Sequence, residues 1–291
     1  MKITPPETHI RCDKTGFQWL VDTYAQISPC FRDTIKIDMQ AVRWLDAHMC
    51  APLGAILYDS TRRLNNVQLT HLPSDVETIL SKNGFLSHYG REQIPDVWET
   101  TIPYQRFDTV DRRYFAEYIQ SRLANHPGMP EMSHGLLKKF HTNMFEIFGN
   151  AVDHSGTELG VFCCGQLFPN KDKLAFAVAD LGMGIRQKIN KFAGKNFSAL
   201  QAIGWAVKGE NTTKAGTSGG LGLKLLIDFI DLNGGKIQIL SDCGHWWREK
   251  SRSAAEEFKN AFPGTVIAVE INTADTNSCI VAGELTKTDI F

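Results

Sequence analysis

The chain has no excess of either charge: in 291 residues, 31 Lys and Arg face 32 Asp and Glu, a formal charge of −1. Proteins that grip nucleic acid through its phosphates carry a basic excess or a basic stripe, so no nucleic-acid partner is expected beyond a local patch. Apolar runs of the roughly 18 residues that a membrane helix needs are also missing. The N-terminal stretch MKITPPETHIRCDK lacks the apolar centre of a signal peptide. A cytoplasmic location with no membrane partner is therefore expected. Cysteine is sparse and unpaired in pattern: seven residues, at 12, 30, 50, 163, 164, 243 and 279, with no C-x-x-C. Cys163 and Cys164 are adjacent in the apolar run LGVFCCGQLF, where a strand would send them to opposite faces as buried thiols. Cys243-Gly244-His245 offers two metal-ligand types, but no second pair stands at zinc-site spacing.

What is present is an ordinary globular composition, 43% hydrophobic and 22% charged. The length suits one large domain or two modest ones. TIKID at 34–38 and NNVQLTHL at 65–72 read as strands, and 46–58 and 74–84 as helices, giving an alternating α/β pattern. The Pro-punctuated stretch 91–109 reads as a linker. Helices are expected at 110–124, 134–153 and 197–208, and strands at 158–168 and 173–180. GLKLLIDFIDLNGG reads as a helix with a glycine stop and KIQILSD as a strand. Residues 248–261 read as a helix, TVIAVEI as a closing strand and 273–291 as a tail.

Three segments carry chemistry. On the helix at 134–153, Glu146 and Asn150 are four apart and Asp153 is three further on, so all share one face. Oxygen ligands in line suit Mg²⁺, and a carboxylate beside such a metal can deprotonate a water; a solvated polar face would look the same. The second segment, Asp180-Leu181-Gly182-Met183-Gly184, follows an apolar strand. Its glycines permit a tight turn and close ligand approach. The third, Gly216-Thr217-Ser218-Gly219-Gly220-Leu221-Gly222, opens a helix and offers backbone N–H groups to phosphate, with Lys214 beside it. Its order matches neither a P-loop nor a dinucleotide-binding fingerprint.

Taken together, E-x-x-x-N-A-x-D on a helix, D-x-G-x-G after a strand, G-x-G-L on the next helix and Gly264-Thr265 opening a last strand resemble the GHKL superfamily. That superfamily holds the ATP-binding domains of gyrase B subunits, heat-shock chaperones, histidine kinases and mismatch-repair ATPases. The resemblance covers about residues 130–272. It implies ATP and Mg²⁺ as cofactors, with Glu146 as general base and Asn150 as the metal ligand. Asp153 matches the acidic position of the gyrase-like box. Asp180 would accept from the adenine amino group, supported by Thr265, and Gly182 and Gly184 would shape the turn beneath it. Gly219, Gly220, Leu221 and Gly222 would pack on the phosphates, under a lid at 208–218 that carries Lys214. The implied fold class is α+β: a C-terminal α/β sandwich with a mixed sheet, over 106–272 with a helical lead-in at 106–133. Departures are a short lid, no dimerisation helix pair, and no phosphoacceptor histidine off the nucleotide-binding helix, where His134 and His141 sit.

Residues 1–105 resemble a smaller α/β module, the STAS domain of anti-sigma-factor antagonists. The resemblance runs from Ile35-Lys36-Ile37-Asp38 through Trp44-Leu45-Asp46-Ala47-His48. Ala47 and His48 stand where such modules carry a phosphorylated Ser or Thr. The implied protein is an ATPase or a protein Ser/Thr kinase in signalling, or an ATP-gated interaction switch with little turnover. A protein partner at the STAS-like module is expected, and a homodimer is compatible with it.

Overall fold

The computed structural model describes residues 1–154, 156–208 and 221–275. The N-terminal part alternates strand and helix: β1 (Lys2–Ile3), β2 (His9–Ile10), α1 (Lys14–Ile27), β3 (Thr34–Asp38), β4 (Trp44–Leu45), α2 (Cys50–Arg62), β5 (Asn66–Thr70) and α3 (Ser74–Lys82). Strands β1, β3 and β5 form a parallel sheet in that order, and β2 pairs with β4, also in parallel. Parallel neighbours need crossover connections, and α1 and α2 supply them. Helix α1 has no counterpart among the sequence expectations. Its start is fixed by Asp13, whose carboxylate accepts from the Thr15 and Gly16 N–H groups.

The rest of the chain is built on a larger sheet. In order come β6 (Thr101–Phe107), α4 (Arg112–Tyr118) running into a π-helical turn at Ile119–Ala124, α5 (His134–His154), β7 (Val161–Phe168) and β8 (Lys173–Asp180). Then follow α6 (Gly184–Ala193), α7 (Ala199–Val207), α8 (Leu221–Asn233), β9 (Lys236–Glu249) and β10 (Arg252–Asn272). The strand order is β6-β7-β8-β10-β9. The chain is thus a mixture of helices and several sheets. The expected mixed sheet is corrected, because every pairing in the five-stranded sheet is antiparallel and parallel pairing is confined to the N-terminal part. The second half of 91–109 is strand β6. Pro103 is tolerated there because β6 is an edge strand and its register slips between Ile102 and Gln105.

A second correction concerns 248–261, which is not helical. Ala, Glu and Lys favour a helix there. Instead, β9 and β10 extend as a hairpin with Arg252 opposite Glu249 and Glu257 opposite Gly244. Lys250 and Ser251 both take left-handed backbone conformations, φ 47° and 62°, the signature of a tight two-residue turn. Tertiary partners hold the arm: Asp231 on α8 receives Arg248 Nε at 2.7 Å, and Lys14 on α1 lies 2.5 Å from Glu256.

The central strands are buried on both faces. Along β7, Phe162 and Cys164 enter one core while Val161 and Cys163 enter the other; along β8, Ala177 and Ala179 alternate with Phe176 and Val178 in the same way. The first core is shared with the N-terminal part, including Phe17, Leu20, Leu53, Ile56 and Phe85. The second is closed by α4, α5 and α8 through Phe115, Phe140, Phe148, Leu226 and Ile230. Each large apolar side chain buried this way contributes roughly 1.5–3 kcal/mol, so neither face could be left bare. Polar bonds fix the fit across the first core. The Ala47 N–H donates to Gln166 Oε1 at 2.7 Å, and Gln238 Nε2 donates to the Cys12 carbonyl at 2.7 Å. Cys163 and Cys164 are buried free thiols on opposite faces. No helix among the described residues is long and apolar enough to cross a membrane.

Three buried histidines add a pH dependence. His48 is 0% exposed, and neither ring nitrogen has a hydrogen-bond partner among the described residues. Burial holds the pKa of His48, His126 and His245 below the ordinary 6.5. Their unfolded forms take up protons that the folded forms resist, so stability is full above the unfolded value and falls as pH drops through it. The urea midpoint is expected to stay level from about pH 8 to 7 and then to fall steadily between about pH 6.5 and 5.5. A midpoint that stays level or rises through that lower window would contradict this account.

Candidate functional site

The strongest local arrangement lies where β8 ends. Asp180 is its last residue and is 4% exposed. A buried carboxylate is costly unless donors meet it. The chain turns back at once, and the Gly182 N–H donates to Asp180 Oδ1 at 2.9 Å. Antiparallel pairing with β10 sets Thr265 opposite Asp180, and pairing of β10 with β9 sets Ser241 opposite Thr265. A carboxylate and two hydroxyls thus form one row across three strands.

Ser241 ties this row to the turn. Its Oγ donates to the Gly264 carbonyl at 2.8 Å, lies 3.2 Å from Thr265 Oγ1 and accepts from the Ile185 N–H at 2.9 Å. That last bond satisfies one of the orphan N–H groups in the first turn of α6, from a different strand. Arg186 Nε, 2.5 Å from Asp242 Oδ2, pins the same turn.

Two glycines are required by geometry. Gly264 has φ 144°, and a Cβ there would stand 2.1 Å from the Asp180 carbonyl oxygen. Gly184 has φ 71°, and its Cβ would meet Ser241 Oγ at 3.1 Å and the Gly264 carbonyl oxygen at 3.2 Å. The turn after β8 and the start of the last paired stretch of β10 therefore touch backbone to backbone.

Glu146 and Asn150 are both half-buried on α5, one turn apart. That helix buries Phe140, Met144, Ile147, Phe148 and Ala151 in the second core, and it packs on α8 and on β8. Its apolar stripe faces the sheet, leaving Glu146 and Asn150 beside the stripe rather than within it. Of the expected site residues, Asp180, Gly182, Gly184 and Thr265 meet at the strand-end turn. Asp153 belongs to the described length of α5 and Leu221 and Gly222 to that of α8, by backbone alone. Lys214, Gly219 and Gly220 lie outside the described residues.

Ser241 was not anticipated. It sits in KIQILSD with nothing local to mark it; only its register against Thr265 reveals its role, and strand register is a long-range property. Among the described residues no cluster of three or more His, Cys, Asp or Glu side chains is arranged to hold a metal ion. In the Cys243-Gly244-His245 stretch, His245 lies 3.2 Å from Glu256 and 3.3 Å from Gln238.

Gly264→Ala is expected to destabilise the fold by about 1–3 kcal/mol, because it forces a side chain into left-handed backbone against a carbonyl. Ser241→Ala should cost about 1–3 kcal/mol, removing the hydroxyl that pairs both the part-buried Ile185 N–H and the Gly264 carbonyl. Chemical denaturation of both variants measures these losses; stabilities within about 0.5 kcal/mol of the parent chain would refute the packing described.

A scan of protein-family models and a search of curated proteins give no match to this chain.

Proposed function

We propose that the chain binds Mg-ATP at the end of β8 and acts on it as an ATPase or a protein Ser/Thr kinase of the GHKL type. The observation that carries this reading is the buried Asp180, met by the Gly182 N–H in a turn where Gly184 and Gly264 approach closely, and aligned with Thr265 and Ser241. An adenine ring needs such an acceptor for its amino group, and the glycines at 182 and 184 leave room for a flat base to approach the backbone there.

The chemistry of the donors fits Mg²⁺ in part. Asn150, with Glu146 one turn away, offers oxygen ligands, and Mg²⁺ commonly completes its shell with phosphate oxygens and water rather than with a full protein cage. Bound there, the ion would neutralise charge on the phosphates, most of what phosphoryl transfer asks of its catalyst. Asn150 orients that end of the nucleotide. Glu146 accepts the proton of the attacking water or of an acceptor hydroxyl, and Asp180 and Thr265 fix the base. Lys214 is the expected phosphate contact from the glycine-rich loop.

A second reading, an ATP-gated interaction switch, draws on a different observation. Helix α2 of the N-terminal part packs on β7 and β8, the strand that ends in Asp180. Ala47 and His48, which occupy the phosphoacceptor positions of the STAS-like segment, are both 0% exposed. A partner docked on the N-terminal part would then sense the nucleotide through the shared sheet rather than through a phosphate placed there.

Calorimetry with Mg-ATP is expected to show saturable binding that Asp180→Asn weakens tenfold or more, since a hydrogen bond to a charged group contributes about 1.5–3 kcal/mol. Glu146→Ala should keep that affinity and slow phosphate release by about 10²–10⁴-fold. Absence of ATP binding by the parent chain would overturn the proposal. Unchanged turnover in Glu146→Ala would remove the base assignment. With γ-labelled ATP, free phosphate marks an ATPase, labelled protein a kinase, and neither the switch.

A further inference from the structure

A cavity of about 560 Å³ lies away from the strand-end turn. It is bounded by the end of α3, by residues 93–103 leading into β6, and by the π-helical turn and the residues after it. Its volume is in the range of small-molecule sites. Its lining carries both charge signs: Lys82 and Arg122 against Asp96 and Glu99.

These four groups are not equivalent. Asp96 is committed to the fold, accepting from Thr100 Oγ1 at 3.0 Å, the Thr101 N–H at 2.7 Å and Thr101 Oγ1 at 2.8 Å. Burial pushes its pKa up, but these donors and Lys82 outweigh that and hold it below the ordinary carboxylate value. Lys82 Nζ is 3.6 Å from Asp96 Oδ1, an attraction at long range rather than a hydrogen bond. Among the described residues, neither Arg122 nor Glu99 has an ion-pair partner. Both stand on unusual backbone: Glu99 is left-handed at φ 48°, and Arg122 lies in the π-helical turn. Left-handed non-glycine residues and π-helical turns recur at functional sites.

The remaining wall is stiff. Pro103 and Pro127 contribute apolar, rigid surface. His126 is 8% exposed, and its Nδ1 accepts from the Gly128 N–H at 3.0 Å, so the neutral ring carries its proton on Nε2. That nitrogen makes no hydrogen bond of ordinary geometry among the described residues.

We propose that this cavity binds a small zwitterion of the α-amino-acid class, its carboxylate meeting Arg122 and Lys82, its ammonium meeting Glu99, and its side chain lying against Pro103 and Pro127. A plain anion would face Asp96 and Glu99, and a plain cation would face Lys82 and Arg122. An apolar ligand would bury charges of both signs without partners. A ligand that carries both charges satisfies both sets. The site shares no residue with the proposed nucleotide site.

The test is calorimetry of the full chain with each of the common L-amino acids, alongside their N-acetyl and carboxamide derivatives. Saturable binding of at least one amino acid is expected. Losing either ligand charge should weaken it about tenfold or more, as should Arg122→Ala or Glu99→Gln. Both side chains are exposed, so the melting temperature of either variant without ligand should match that of the parent chain. No saturable binding of any amino acid up to about 10 mM would overturn the proposal. So would N-acetyl derivatives that bind as tightly as the free amino acid, or variants that bind with parent affinity.

Discussion

A sheet whose central strands are apolar on both faces must be covered twice, and most of this structure follows from that constraint. Strands β7 and β8 are buried nearly throughout. Helices α4, α5 and α8 cover one face; the N-terminal part, with α1 and α2 foremost, covers the other. Removing the N-terminal part would expose Phe162, Ala177, Ala179, Val266 and Ala268 together, an apolar face too large to leave wet. The N-terminal part is therefore bound into the fold of the remainder. Its buried polar groups confirm the fit: Gln166 and Gln238 each hold a backbone group of the N-terminal part from within the sheet.

The same constraint locates chemistry. With both faces of β7 and β8 closed, a ligand reaches these central strands at their ends. The row Asp180, Thr265 and Ser241 stands at one such end, where Gly264 and Gly184 let the two backbones come into close contact. A nucleotide held there would press on β8, and α2 rests on that strand. That gives the proposed switch a physical path. It has two ends and a rigid element between them, which is the minimum that coupling between sites requires.

The sequence made some of this plain and concealed the rest for identifiable reasons. LAFAVA is apolar without interruption up to Asp180, and β8 occupies Lys173–Asp180 as its pattern says. Helix α5 follows from the spacing of Phe140, Met144, Ile147, Phe148 and Ala151. The turn after Asp180 announces itself through Gly182 and Gly184. By contrast, the hairpin at Lys250-Ser251 uses neither Asn nor Gly, and the helix formers around it are overruled by Asp231 and Lys14. Ser241 and the antiparallel register are products of long-range pairing, which local pattern does not encode. Helix α1 starts at a local signal, the Asp13 cap.

The central claim is that the end of β8, together with Glu146 and Asn150 on α5, is where Mg-ATP binds. Hydrogen exchange of the intact chain, with and without Mg-ATP, tests it most directly because it reads the backbone region by region. The account predicts that nucleotide slows exchange in the peptides spanning 146–154, 180–186 and 262–266, and that Mg²⁺ alone does not. Protection confined to other regions, or exchange identical with and without Mg-ATP at saturating concentration, would contradict it.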